Sequence, residues 1–180
     1  MPVSVIAWVA YEWSPARVVF VTPPPQDKYD FITTLPQGAY EALQRELKNT
    51  LGFVGRRETR EVDVMVLKVR NPGASGLKPP IAGSENDWSS PGHYVCDDRA
   101  LSSDSPPHLG LTRFLEQAFD TPVIDQTGLT QHFSIDLKWQ PQPNRAAALK
   151  AVKQAILDQL GLELVPGREP IEMLVVEKVK

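Results

Sequence analysis

The chain has 180 residues, enough for one ordinary domain or two small ones with a buried core and no covalent staples. Apolar residues make up 42%, which excludes wholesale disorder, and a net charge of −3 from 19 basic and 22 acidic residues gives nucleic acid no basic excess to bind. The single cysteine, Cys96, rules out an intramolecular disulfide, and no apolar run approaches the roughly 18 residues of a membrane helix.

Ile6, Val9, Ala10 and Trp13 recur at i, i+3, i+4 and i+7, which predicts a first helix. The N-terminus carries no basic stretch and Ser4 interrupts Val3 to Tyr11, so no signal peptide is read there. A chain that opens directly on a helical pattern reads as one trimmed at its front. Val18-Val19 predicts a short strand, and the alternation of Tyr29, Phe31, Thr33 and Leu35 predicts another. Tyr40, Leu43, Leu47 and Leu51 share a helical face that Gly52 ends, where a residue without Cβ tolerates the left-handed cap. Phe53 and Val54 open a strand. Arg56 to Glu61 is expected to form a polar turn held by ion pairs, with Arg57 and Arg60 as candidate contact residues. Val62 to Leu67 then reads as a further strand.

Residues 70–109 are rich in Pro, Gly, Ser and Asp and read as a connecting loop, with His93 to Cys96 as a short strand inside it. The run Gly73 to Lys78 resembles a phosphate loop but lacks a Ser or Thr after Lys78 and meets Pro79-Pro80 instead of a helix. Ser75, Ser84 and Ser103 stand outside any nucleophile-elbow pattern. His93, Cys96, Asp97, Asp98 and His108 are legitimate metal-ligand types, yet His93 and Cys96 at i, i+3 on a strand point to opposite faces. No cofactor or metal is therefore expected. Trp88 sits in a polar loop with no patterned face to join, and Trp88 and His93 are taken as further candidate contact residues.

The second half repeats the first. Leu111, Phe114, Leu115 and Ala118 predict a helix, Val123-Ile124 a strand, and Asp125-Gln126-Thr127-Gly128 a turn. His132 reads as an edge residue before the alternating strand of Phe133, Ile135, Leu137 and Trp139. Leu149, Val152, Ile156 and Leu160 form a helical stripe ended by Gly161, followed by Leu162, a turn at Pro166-Gly167 and a strand from Ile171 to Val176. Adding 109 to the numbers of Leu43, Leu47, Leu51 and Gly52 gives Val152, Ile156, Leu160 and Gly161 without a gap. The front elements match at an offset of 105 (Val18 to Val123), with drift confined to loops.

The expected architecture is α+β, with two helix–strand–strand–helix–strand–strand units, at residues 1–69 and 110–180. Residues 70–109 connect them, and the units pack as one pseudo-twofold globule.

Gly55 to Val62, which contains Arg57-Glu58-Thr59-Arg60-Glu61, carries a family likeness, as do Asp125 to Leu129, Phe133 to Trp139, Gln159 to Leu164 and Pro170 to Val176. In these segments the chain resembles a soil-bacterial family, of acidobacterial and verrucomicrobial type, of unknown function. The resemblance covers nearly everything except residues 71–108 and implies export to the cell envelope with no established activity. The expectation that follows is an envelope-associated binding or protein-interaction module, its partner another protein at a sheet edge or at the 70–109 loop. The alternatives are an enzyme, hydrolase-like, with a site assembled between the two repeats, and a regulatory domain of a membrane peptidase or sensor system.

Overall fold

A computed structural model describes residues 1–32, 34–35, 37–84, 86–102 and 110–179. The order of elements is α1 (Val3–Ala10), β1 (Val18–Phe20), α2 (Ala39–Asn49), β2 (Phe53–Val69), β3 (Asp87–Ser90), β4 (His93–Arg99), α3 (Leu111–Phe119), β5 (Val123–Asp125), β6 (Phe133–Lys138), α4 (Arg145–Ala155) and β7 (Leu162–Lys178). Short 3-10 and π-type turns precede β1 and follow α4. The chain is a mixed α+β protein with two sheets, ordered β1-β7-β2-β5 and β3-β4-β6. Among the described residues, no helix is long and apolar enough to cross a membrane.

The chain divides into two compact units, Met1–Val62 with Glu169–Lys180 and Asp63–Arg168, so β2 and β7 each contribute to both. In the first unit, α1 buries Val3, Ile6, Ala7 and Ala10 against Leu43 and Leu47 of α2 and Phe53, Leu174 and Val176 of the strands. The Gln44 amide donates to the Ala10 carbonyl at 2.8 Å, which satisfies an orphan acceptor at the end of α1. β1 runs parallel to the end of β7, with Val18 opposite Leu174 and Phe20 opposite Val176.

In the second unit, β5 runs parallel to the end of β2, with Met65 opposite Val123 and Leu67 opposite Asp125. Its core joins Leu67, Leu111, Leu115 and Val123 to Ile135 and Leu137 of β6, Tyr94 and Cys96 of β4, and Val152, Ile156 and Leu160. Each fully buried Leu or Ile contributes about 1.5–3 kcal/mol. Gly161 ends the α4 segment with φ +68°, and Gly52 ends α2 with φ +71°, as their placement after helical stripes predicts.

Three expectations are corrected. Arg56 to Glu61 is no turn: β2 runs unbroken for 17 residues through it. The interleaved charges alternate along an exposed strand, Arg56 and Glu58 pairing with each other and Arg60 Nε with Glu58 at 2.7 Å. Nor does Pro166-Gly167 break β7, which also spans 17 residues. The Val176 carbonyl accepts from Val21, so even-numbered residues of β7 turn their backbone polar groups toward the β1 side. β1 begins opposite Leu174 and runs on toward Val176, so Pro166 and Pro170 lie before its start, where no ladder partner needs an N–H. Finally, Tyr29 to Leu35 forms no strand among its described residues; an isolated bridge joins Lys28 to Pro2, and Thr33 lies outside those residues.

Candidate functional site

The segment between the two halves supplies β3 and β4, two of the three strands of the second sheet. The short strand expected at His93 to Cys96 is present and longer, as β4, and it occupies the centre of β3-β4-β6. The two-residue turn Pro91-Gly92 joins β3 to β4, with Gly92 at φ +87°. Trp88, expected in a loop, lies on β3 opposite Val95, and Ser90 lies opposite His93. Strand alternation divides the sheet. Tyr94, Cys96, Phe133, Ile135 and Leu137 face the core, while Trp88, His93, Asp136 and Lys138 share the other face.

That outer face carries a connected polar and aromatic row. The Trp88 ring stands edge-on to the His93 ring, with centroids 4.9 Å apart. His93 Nε2 lies 2.6 Å from Asp136 Oδ1, and Lys138 Nζ donates to Asp136 Oδ2 at 3.0 Å. Lys138, then His93, holds the Asp136 carboxyl below its ordinary value by hydrogen bonding to the ionised form. Trp88 remains 46% exposed, high for so large an aromatic ring on a strand.

A second cluster pins the approach to β3. Ser84 Oγ and Asn86 Nδ2 donate to Asp97 Oδ2 at 2.7 and 2.9 Å, and these bonds hold the Asp97 carboxyl low. The Asn86 carbonyl accepts from Asp97 N–H at 2.8 Å, so in an antiparallel ladder Asn86, Trp88 and Ser90 point their backbone groups at β4. Asp87 and Ser89 then point theirs outward. The two edges of the sheet are treated differently. On β6, the Gln159 side chain donates to the Lys138 carbonyl and accepts from its N–H, and Lys78 exchanges backbone bonds with Ser134. Among the described residues no strand pairs with the outer side of β3.

The other candidate residues have different settings. Arg57 and Arg60 lie on β2 in the first unit. The Arg57 guanidinium stands 4.8 Å from the Trp13 ring centroid and 3.8 Å from Glu172, and Arg60 is bound to Glu58. Cys96 faces the core, opposite to His93, and burial pushes its thiol up to about 11, where it is neither a thiolate nucleophile nor a ready metal ligand at neutral pH. His132 Nδ1 pairs with Asp98 Oδ1 at 2.8 Å. Asp125 Oδ1 accepts from the backbone and hydroxyl of Thr127, as a turn at that spacing requires. Ser103 and His108 lie outside the described residues. Asp136 and Lys138 were not anticipated as site residues. The alternation Phe133, Ile135, Leu137 does place them together on the opposite face, but only the pairing of β6 with β4 brings His93 to them.

The arrangement can hold a partner by an aromatic ring, a charge row and backbone groups that pair with no other strand among the described residues. Over residues 6–179 the chain matches the family described as "Protein of unknown function (DUF3738)", and it belongs to that family. No curated protein and no solved structure matches it.

Proposed function

We propose that the chain is an envelope-associated protein-interaction module that binds an extended segment of another protein along β3. One observation carries the reading: β3 is the outer strand of its sheet and displays Trp88 beside the backbone groups of Asp87 and Ser89. An added strand would gain main-chain hydrogen bonds from that edge, and Trp88 with His93 would select its side chains. The envelope location rests on the family resemblance and is tested by fractionating cells that express the full-length gene product.

Selection of displayed random peptides against the whole chain tests the binding mode. Ser89→Pro removes one outward N–H and leaves the β3–β4 ladder, whose inward groups belong to Trp88 and Ser90, intact. Selected peptides should lose binding to Ser89→Pro and weaken against Trp88→Ala. Peptides that bind Ser89→Pro as tightly as the parent would remove β3 from the account.

The proposal takes the two halves as copies of one ancestral unit. The two parallel ladders support this. Val18 pairs with Leu174 and Met65 with Val123; adding 105 to 18 gives 123, and adding 109 to 65 gives 174. Each copy's short strand thus lies beside the other copy's long strand at the equivalent position. Comparison of many family members tests it: the halves should agree better at these two offsets than at neighbouring ones.

A further inference from the structure

A second feature of the unit Asp63–Arg168 is independent of the β3 edge. A cleft of about 260 Å³ opens between the β3–β4 turn, α3 and the start of α4. Phe114 and Trp139 both line it, with ring centroids 5.8 Å apart and planes tilted by 41°. Pro91, Pro141, Leu149 and Val152 also line it, and Ala118 and Ala148 contribute only small side chains.

The hollow is held open by backbone. The Gly92 carbonyl accepts from Trp139 N–H at 2.9 Å, which clamps the hairpin turn to the strand end that carries Trp139 and Pro141. A Cβ at Gly92 would lie 2.8 Å from the Trp139 carbonyl oxygen and 2.9 Å from the Pro141 ring, so only glycine permits this approach. The buried Tyr94 stacks on Phe114 with ring centroids 4.4 Å apart, so the Phe114 ring is held by a second ring.

Among the described residues that line the cleft, Arg145 is the one charged residue and no acidic side chain joins it. One of its five N–H groups donates to the Ala118 carbonyl at 3.3 Å, which places the guanidinium at the rim and leaves other donors available. Arg145 is also the first residue of α4, whose Asn144 cap accepts from Ala147, so the helix dipole adds positive potential at the same rim.

An apolar lining of aromatic and proline rings favours a planar ring, and a planar guanidinium favours a carboxylate. Drug-sized ligands occupy roughly 300–1,000 Å³; this cleft is smaller and takes about one ring system. We propose that it binds a small aromatic carboxylate, with the ring on Phe114 and Trp139 and the carboxylate on Arg145.

Titration of the ¹⁵N-labelled full chain with phenylacetate, its neutral analogue phenylacetamide and the variant Arg145→Gln tests this. Arg145 is exposed, so the variant keeps its fold. Phenylacetate should shift the Trp139 indole and Ala148 amide signals saturably. Phenylacetamide on the parent, and phenylacetate on Arg145→Gln, should each bind about fivefold more weakly, as expected for one exposed charge contact. No saturable shift at Trp139 would overturn the proposal. So would equal affinity for the charged and neutral probes, which would describe an apolar hollow without a carboxylate site.

Discussion

Segments 28–35 and 133–138 carry the same alternating pattern in the two halves, and they meet different ends. Phe133, Ile135 and Leu137 form β6, paired along its length with β4. Tyr29 and Phe31 pack against the core of the first unit, but the described residues of their segment form no strand beyond the isolated bridge at Lys28. The difference is the partner strand. Residues 70–109 supply β4 to the second half and, among the described residues, no strand to the first. A period of two places side chains on one face; it does not provide the hydrogen bonds that make a strand. The candidate site exists because of that connecting segment, since Trp88 arrives on its β3 and His93 on its β4.

The contrast is broken most severely at the matched helix-ending glycines. Gly52 and Gly161 have nearly the same positive φ, but a Cβ at Gly161 would lie 2.0 Å from the Asn71 carbonyl oxygen, against 3.6 Å to the Val179 oxygen at Gly52. Gly161→Ala should therefore cost more than about 3 kcal/mol, and Gly52→Ala only the left-handed penalty of about 1 kcal/mol. Urea unfolding of the two variants measures this, and equal losses would break the distinction.

The next effect compares two isoleucines in the matched segments. Ile135 is 1% exposed and Ile32 is 90% exposed. Ile135→Ala should cost about 2–5 kcal/mol and Ile32→Ala less than about 0.5 kcal/mol by the same measurement.

Acid sharpens the comparison further. Asp136 and Asp97 in the second unit have folded-state values below their unfolded range near pH ~3.9. Their contribution is therefore complete above that range and is lost as pH falls through the folded values. Stability should decline below about pH 4, and Asp136→Asn should flatten the decline by no more than about 1 kcal/mol, since the pair is largely solvated. An unchanged acid limb in that variant would show that the His93–Asp136–Lys138 row contributes nothing.

The smallest effect belongs to Arg57. Removing its contacts with Trp13 and Glu172 by Arg57→Ala should cost at most about 1 kcal/mol, read from the same unfolding curves.

Much of the helical frame was legible because amphipathic stripes ending in glycine, such as Leu43 to Gly52 and Val152 to Gly161, state both a face and a stop. Ion pairing of Glu58 with Arg56 and Arg60 was legible too, but its setting was not. Exposed strands of alternating charge lack the apolar signal by which a strand is recognised, so the middle of β2, Arg56 to Glu61, read as a turn between two strands. Trp88 read as a loop residue for a related reason. β3 has no buried face of its own pattern, and only β4 beside it makes it a strand.

Hydrogen exchange at single-residue resolution in the free chain tests the open edge directly. The amides of Trp88 and Ser90 should be protected by β4, while those of Asp87 and Ser89 exchange at rates near those of an unpaired chain. Slow exchange at Asp87 and Ser89 would mean that the outer side of β3 is already satisfied, and a partner strand would have nowhere to add.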